Sequence, residues 1–428
     1  MIQSITIRPA RGVTGSLVLP GDKSISHRYA MLAAISEGIS HLENYSPGAD
    51  CASTLSCLET LGVRCERKAN SVTIQGLGPQ LKAPASALDC GNSGSTIRML
   101  SGILAGQEFT SQLIGDDSLS RRPMKRIIEP LFQMGARISS SEGDRPPLSI
   151  RGAKLKGIQY KPPVASAQVK TCLLFAGLFA EGNTSVDEPT RTRDHGEIAL
   201  RAFGAQVIQD GIRVSIKGLQ KLHALDATIP GDLSSASFFL CAAALFPESR
   251  IEIRKLLMNP TRARLLDVLI GMGVRISVTE LQEIHGELVG SVTVEGGGLA
   301  GGLIAGTDTT ALIDEIPVLA AIAPYTSEGI EIRDAGELRV KESDRIATVA
   351  SNLRAMGARF EEREDGLRIA GGQRLRGAEL DSFGDHRIAM AFAVAALRAE
   401  GESVIKGADA AVISFPGFFD LLESVAPR

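Results

Sequence analysis

The chain reads as an α/β protein built from six copies of one unit, grouped as two homologous halves of three. Three observations carry this reading. The 428 residues divide by six into stretches of about 71, and two classes of helix-like segment recur at about that period. Short alternating, strand-like segments fall between them. The run Pro20-Gly21-Asp22-Lys23-Ser24 returns as Pro230-Gly231-Asp232-Leu233-Ser234, close to half the chain length further on.

The first class of segment starts polar, turns strongly apolar and mostly ends in Gly. It occupies 22–38, 91–106, 166–182, 232–247, 313–329 and 385–401. The second class is amphipathic and ends at Gly62, Gly135, Gly204, Gly273 and Gly357, while the last copy, 418–426, lacks the Gly. Apolar positions three and four apart predict helices in both classes. Gly after the last periodic residue is the expected stop. Val72-Thr73-Ile74, Leu148-Ser149-Ile150, Val214-Ser215-Ile216, Val292-Thr293-Val294 and Leu367-Arg368-Ile369 alternate as strands do. The unit is therefore strand, apolar helix, strand, amphipathic helix, strand, strand. The apolar helices are polar only in their first turn, which predicts burial along their length with exposed amino termini. Amino termini gathered in one place would favour anions. Polar caps are equally what any α/β protein carries.

Composition removes several classes of function. There are 46 Lys+Arg against 49 Asp+Glu, a net charge of −3, with four Tyr and no Trp. Neither a general polyanion-binding surface nor a base-stacking platform is indicated, so no nucleic-acid partner is expected. Residues 1–15 show no apolar signal core. The longest nearly apolar stretch, 236–246, is far short of the ~18 residues that span a bilayer. No membrane partner is expected, and the cytoplasm is the expected location. The six cysteines, Cys51, Cys57, Cys65, Cys90, Cys172 and Cys241, show no CxxC spacing. They read as small core residues of a reducing compartment. No pair of His has ligand spacing, so neither metal nor cofactor is called for. A monomer is expected.

Five clusters carry chemistry, mostly at helix starts. In Lys23-Ser24-Ile25-Ser26-His27-Arg28, Ser24 and Arg28 are four apart and share a face. They suit a phosphate, or else a cap and a solvated charge. Gly91-Asn92-Ser93-Gly94-Ser95-Thr96-Ile97-Arg98 has two Gly in a turn feeding a helix, which lets an anion approach backbone. Arg121-Arg122-Pro123-Met124-Lys125-Arg126 places Pro123 in a first helical turn. Its four basic residues face either solvent or an anionic ligand. Ser166-Ala167-Gln168-Val169-Lys170 offers a neutral amide that both donates and accepts, and Thr192-Arg193-Asp194-His195 is grouped with it. In the second half, Asp314-Glu315 precedes Pro317, Lys341-Glu342-Ser343-Asp344-Arg345 opens an amphipathic helix with Lys341 and Arg345 on one face, and Asp385-His386-Arg387 opens the last apolar helix. Asp344 and Asp385 read as caps. Together Lys23, Arg28, Arg122, Arg193, Lys341, Arg345 and Arg387 would concentrate positive charge in a near-neutral chain. They would grip two multiply anionic ligands, with Asp314 and Glu342 as candidates for proton transfer.

At these residues the chain resembles the 5-enolpyruvylshikimate-3-phosphate synthase family, in the subgroup called class II. The matching segments are Leu19-Pro20-Gly21-Asp22-Lys23-Ser24-x-Ser26-x-Arg28, Gly91-Asn92-Ser93-Gly94, Arg122-Pro123-Met124, Ser166-Ala167-Gln168, Arg339-Val340-Lys341-Glu342-Ser343-Asp344-Arg345, Asp385-His386-Arg387 and Ser414-Phe415-Pro416. They occur in order over almost the whole chain. The resemblance implies a two-domain inverse α/β barrel of six βαβαββ units. One domain would comprise 1–20 plus 231–428, with the phosphoenolpyruvate side and the catalytic carboxylates. The other, 21–230, would be mainly the shikimate-3-phosphate side, with substrates in the cleft between them. The implied reaction moves the enolpyruvyl group of phosphoenolpyruvate to the 5-hydroxyl of shikimate 3-phosphate and releases phosphate. Carried over by position, Lys23, Ser24, Arg28, Ser166, Ala167, Gln168, Arg193, Asp314 and Lys341 would meet shikimate 3-phosphate. Lys23, Gly94, Arg122, Gln168, Arg345 and Arg387 would meet phosphoenolpyruvate. Asp314, Glu342 and Lys23 are the expected catalytic residues. Gly94 is the small residue expected of the glyphosate-sensitive form. Ala167 stands where some members have a second Ser, and Ile413 where some have Lys, so one cation is missing or supplied elsewhere.

A sister family transfers enolpyruvyl to UDP-N-acetylglucosamine. It has Lys-Asn where this chain has Lys23-Ser24, and a Cys loop ahead of its Arg-Pro, whereas no Cys lies between Cys90 and Cys172 here. A nucleic-acid-end enzyme of similar repeats would need a basic surface. A non-catalytic anion binder would not need both Asp314 and Glu342.

Overall fold

A computed structural model describes residues 4–428. Its helices are α1 (Lys23–Ala34), α2 (Ala49–Thr60), α3 (Gly94–Ala105), α4 (Lys125–Met134), α5 (Ala167–Gly177), α6 (His195–Ala202), α7 (Leu233–Ala244), α8 (Arg264–Gly271), α9 (Thr307–Ala311), α10 (Ile316–Ile322), α11 (Arg345–Ala355), α12 (His386–Ala396) and α13 (Phe418–Val425). Two compact units share them. One holds the described residues up to Leu19, Pro230–Glu283 and Leu288–Arg428; the other holds Pro20–Ile229 and the short segment Ile284–Glu287.

In the unit of Pro20–Ile229 the same four-stranded sheet occurs three times. Thr110–Ile114 pairs antiparallel with Arg145–Arg151, which pairs antiparallel with Arg137–Ser141, and Leu88–Asp89 adds in parallel on the far edge of Thr110–Ile114. Gln159–Tyr160, Asn183–Asp187, Arg213–Lys217 and Val207–Asp210 repeat this order. The first copy takes its parallel strand, Ala227–Thr228, from the end of the unit, so the repeat closes on itself. In the other unit, Thr14–Val18 from the start of the chain is the parallel strand beside Arg250–Leu257. The last sheet there has three strands, Ser4–Ile7, Ser403–Lys406 and Glu379–Asp381.

The apolar segments become buried helices. Within one unit α3 packs on both α1 and α5, and within the other α7, α10 and α12 pack on one another. Gly102 makes the α3–α5 approach possible: a Cβ there would lie 2.1 Å from the Cys172 carbonyl oxygen. The polar first turns act as caps. Asp22, Ser93, Ser166, Asp232 and Asp385 each accept a hydrogen bond from a backbone N–H of the helix that follows. Each such bond stabilises its helix by about 1 kcal/mol.

Three sequence expectations need correction. The amino termini are not uniformly exposed: all twelve residues of α7 are buried, as are Ile316 and Pro317 of α10. Their polar neighbours are satisfied by one another, because Ser234 bonds Glu315 and Arg387 bonds Ser234. Pro123 precedes α4 rather than entering its first turn, in an extended link after the 3₁₀ turn Leu119–Arg121. Lys341 does not share a helix face with Arg345. Asp344 caps α11 and the helix begins at Arg345, so Lys341 lies in the approach to it.

No described helix is long and apolar enough to cross a membrane. All six cysteines are free thiols, and five of them are buried.

Candidate active site

Each unit gathers its own set of sequence-singled residues. In the Pro20–Ile229 unit they sit at the starts of α1, α3 and α5 and in the loop before α6. Asp22 accepts the Ile25 N–H at 2.9 Å and sets the start of α1. Lys23 Nζ is 2.9 Å from Asp50 Oδ2. Arg28 is buried; its Nη1 donates to the Ser24 carbonyl at 2.8 Å and its Nη2 to Thr171 Oγ1 at 3.0 Å, which ties α1 to α5. Burial lowers the Arg28 pKa to about 10, against the pull of Glu197 and Asp22, so it remains cationic at neutral pH.

Gln168 at the start of α5 bridges to α3. Its oxygen accepts from Arg98 Nη1 at 2.9 Å and its amide donates to Ser95 Oγ at 3.0 Å. Ser166 caps α5, and Ala167 is its first residue. Gly94 opens α3 between two guanidinium groups: a Cβ there would lie 2.6 Å from Arg98 Nη1 and 3.3 Å from Arg122 Nη1. Arg122 is held by Asn92 Oδ1 at 2.8 Å and Ser118 Oγ at 3.1 Å. The side chains thus leave Gly94 as a small opening flanked by Arg98 and Arg122, which suits a compact anion.

Arg193 lies in the loop before α6, which is fixed from beneath. Buried Lys170 sits 2.7 Å from both Glu188 and Glu197. Glu188 accepts from the Thr192 hydroxyl and, at 3.4 Å, from the Thr192 N–H. His195 Nδ1 meets Glu287 Oε1 at 2.6 Å. Burial raises the Glu197 pKa despite Lys170.

In the other unit Arg345 is the centre. It is 1% exposed, and its Nε and Nη2 donate to the two oxygens of Asp385 at 2.8 and 3.2 Å. Nη2 also donates to Glu342 Oε2 at 2.6 Å, and Nη1 lies 3.7 Å from Asp314 Oδ1. Burial works against the Arg345 charge, but Asp385, Glu342 and Asp314 outweigh it and push its pKa up. Burial likewise opposes the Asp385 charge; Arg345 reverses this and holds the carboxyl below its usual range. Arg387 Nη1 donates to the Asp314 carbonyl at 2.6 Å, and its Nη2 lies 3.9 Å from Asp314 Oδ2. Lys341 Nζ is 3.8 Å from Glu337. Burial lowers the Lys341 pKa, opposed by Asp314, Glu337 and Glu342. Asp314 and Glu342 keep 20% and 21% of their side chains exposed, so both remain within reach of a ligand.

This combination fits acid–base chemistry on bound anions: cations fixed by partners, and two accessible carboxylates on one buried guanidinium. The comparisons with known proteins decide between anion-handling families. A profile of EPSP synthase (3-phosphoshikimate 1-carboxyvinyltransferase) matches residues 7–422. The chain belongs to the EPSP synthase family. A 3-phosphoshikimate 1-carboxyvinyltransferase of Koribacter versatilis is 60% identical over 428 residues, covering all of both chains. That of Solibacter usitatus is 57% identical over 421 residues, covering 98% of this chain and 99% of its own. A solved EPSP synthase from Acinetobacter baumannii matches with a TM-score of 0.89 at 42% identity, covering 99% of this chain and 98% of that one. The mixed α/β architecture is therefore the two-domain EPSP synthase fold.

Sequence reasoning on this EPSP synthase chain missed several side chains that the geometry makes important. Asp50 holds Lys23, Arg98 holds Gln168, and Glu188 holds the loop of Arg193. Arg98 carried a signal, since it lies four residues after Gly94 and so on the same helix face. Asp50 and Glu188 carried none that sets them apart from capping or surface carboxylates.

Proposed function

We propose that this chain transfers the enolpyruvyl group of phosphoenolpyruvate to the 5-hydroxyl of shikimate 3-phosphate, releasing phosphate, with the residues above serving one reaction. Family membership across residues 7–422 supports the reaction class. Within the chain, the observation that carries the reading is the pair Asp314 and Glu342 held at the single guanidinium of Arg345.

Lys23, Ser24, Arg28, Ser166, Ala167, Gln168, Arg193, Asp314 and Lys341 are assigned to shikimate 3-phosphate. Lys23, Gly94, Arg122, Gln168, Arg345 and Arg387 are assigned to phosphoenolpyruvate. Arg98, beside Gly94, is a further cation available to that anion. Holding two polyanions together is costly in water, and guanidinium groups already fixed by protein partners lower that cost. Asp314 takes the proton of the 5-hydroxyl. As the substrate anion arrives, Glu342 exchanges its bond to Arg345 for a proton from solvent, and passes that proton to the methylene carbon; Lys23 is the second candidate donor. The adjacent carbon becomes cationic and the hydroxyl oxygen attacks it, forming a tetrahedral ketal phosphate. The Glu342 carboxylate then takes a proton back from the methyl group, phosphate leaves with the proton that Asp314 had taken, and the double bond is restored. Glyphosate competes at the phosphoenolpyruvate site. The enzyme acts as a cytoplasmic monomer, a location supported by its six free thiols.

The test is to mix the protein with both substrates and follow phosphate release. Release that requires shikimate 3-phosphate supports the reading, and release with UDP-N-acetylglucosamine in its place overturns it. The base assignment has its own test. Asp314→Asn should lower kcat by roughly 10²- to 10⁴-fold, the usual contribution of a positioned base. Near-normal turnover would remove Asp314 from that role.

A further inference from the structure

A chain of hydrogen bonds runs through the interior of the Pro20–Ile229 unit and includes none of the residues assigned to substrate. His27 Nδ1 lies 2.7 Å from Thr54 Oγ1. Thr54 Oγ1 lies 2.7 Å from Thr96 Oγ1. Thr96 Oγ1 donates to Ser93 Oγ at 2.7 Å, and the same Ser93 oxygen accepts the Thr96 N–H at 3.1 Å as the cap of α3. All four residues are fully buried.

The donors can be ordered. Thr96 directs its hydroxyl proton to Ser93, so Thr54 donates to Thr96. His27 then donates to Thr54 through an Nδ1–H. This requires a neutral ring protonated on Nδ1. Burial, reinforced by Lys23 and Arg28, holds the His27 pKa well below its ordinary value and keeps the ring neutral. His27 Nε2 has no hydrogen-bond partner.

The ends of this chain lie next to the assigned substrate residues. His27 directly precedes Arg28 on α1, and Ser93 directly precedes Gly94 on α3. Thr54 supplies the middle from α2, a helix that holds none of the residues assigned to substrate. The same helix also carries Asp50, whose side chain holds Lys23. Apolar packing alone tolerates small slides between helices, whereas a directional, buried hydrogen-bond chain admits one register. The α1 side has separate anchors. Arg28 bonds Thr171, and Ser26 Oγ accepts the Ser46 N–H at 3.0 Å.

We propose that His27, Thr54 and Thr96 are positioning residues, whose hydrogen-bonded chain fixes the α3 amino terminus at Gly94 relative to Lys23 and Arg28 and thereby governs phosphoenolpyruvate binding. The inference rests on the assignment of Gly94 to phosphoenolpyruvate made above.

The test compares Thr54→Val, which keeps the shape and deletes the hydroxyl, with Thr54→Ser, which keeps the hydroxyl. Thr54→Val should raise the KM for phosphoenolpyruvate roughly tenfold and leave that for shikimate 3-phosphate within about twofold, as expected for leaving buried partners unsatisfied at one end of the site. Thr54→Ser should restore the phosphoenolpyruvate KM. An unchanged phosphoenolpyruvate KM in Thr54→Val, a parallel rise in both KM values, or a failure of Thr54→Ser to restore it would overturn the proposal. If Thr54→Val does not fold, Thr96→Val, which preserves the His27–Thr54 bond, carries the same prediction with Thr96→Ser as its control. Nitrogen-15 NMR of His27 gives a readout independent of activity. An Nδ1–H tautomer in the wild type is the expected result, and an Nε2–H tautomer would overturn the chain. A wild-type protein inactive on this substrate pair would defeat the proposed function instead, and the tautomer measurement separates the two failures.

Discussion

Gly94 shows how little space decides chemistry at the scale of one residue. The Cβ of an alanine there would meet Arg98 Nη1 at 2.6 Å and Arg122 Nη1 at 3.3 Å. Both are ends of flexible side chains, so the fold absorbs the methyl group while the guanidinium groups move. Gly94→Ala is expected to raise the KM for phosphoenolpyruvate roughly tenfold or more, because small misplacements of binding groups are amplified in this way. The KM for shikimate 3-phosphate and the melting temperature should hardly change. A measured rise in both KM values would show that Gly94 serves more than one ligand. The sequence exposed Gly94, Lys23 and Arg345 because each sits at a helix start, where residue types are restricted, and Arg122 because it lies in a dense basic run just before one. It did not expose the partners that hold them. Lys23 meets Asp50 across 27 residues, and Arg98 meets Gln168 across 70. Such pairs depend on which helices pack together, and periodicity within a helix does not report that.

At the scale of elements, the polar first turns serve twice. Asp385 caps α12 by accepting the Arg387 N–H at 2.9 Å, and it also receives two hydrogen bonds from Arg345 at the start of α11. The sequence supported the cap alone, since one carboxylate in a first turn carries no mark of a second partner 40 residues away. The pair predicts an acid-sensitive joint. The Asp385 pKa is lowered in the folded protein relative to an ordinary value of 3.8. Its stabilisation is therefore complete above that value and is lost as pH falls through the lower, folded-state pKa. Asp385→Asn should lower the unfolding free energy at neutral pH by about 3–5 kcal/mol, as for a buried pair deprived of one partner. Urea unfolding across a pH series should also show that the variant loses less stability than the wild type below that value. Equal pH dependence in the two proteins would place the acid sensitivity elsewhere. The helix starts were legible, but α1, α5, α10 and α12 end at Ala34, Gly177, Ile322 and Ala396, before Gly38, Gly182, Gly329 and Gly401, which read as their stops. Pro123 and Lys341 were misplaced because both lie in short approaches to a helix, where the chain departs from helical period before the cap.

For the whole molecule, repetition explains why so much could be read from one sequence. Each βαβαββ unit presents a polar helix start, so the residues available for function recur at a fixed place in every unit. The copies then diverge. Lys23-Ser24 in one half corresponds to Leu233-Ser234 in the other, and Ser234 is taken up by Glu315 and Arg387. One unit is left with Arg98 and Arg122 beside Gly94 and with Lys23 on Asp50, and the other with Asp314 and Glu342 on Arg345. The net charge of −3 fits cations concentrated for two small anions, with acidic residues elsewhere. This chain makes a carbon–oxygen bond at the 5-hydroxyl of shikimate 3-phosphate and does not merely release phosphate. Carbon-13-labelled phosphoenolpyruvate followed by carbon and phosphorus NMR tests it directly. One enol ether should form at that hydroxyl for each inorganic phosphate released. Phosphate appearing with labelled pyruvate and no enol ether would contradict it.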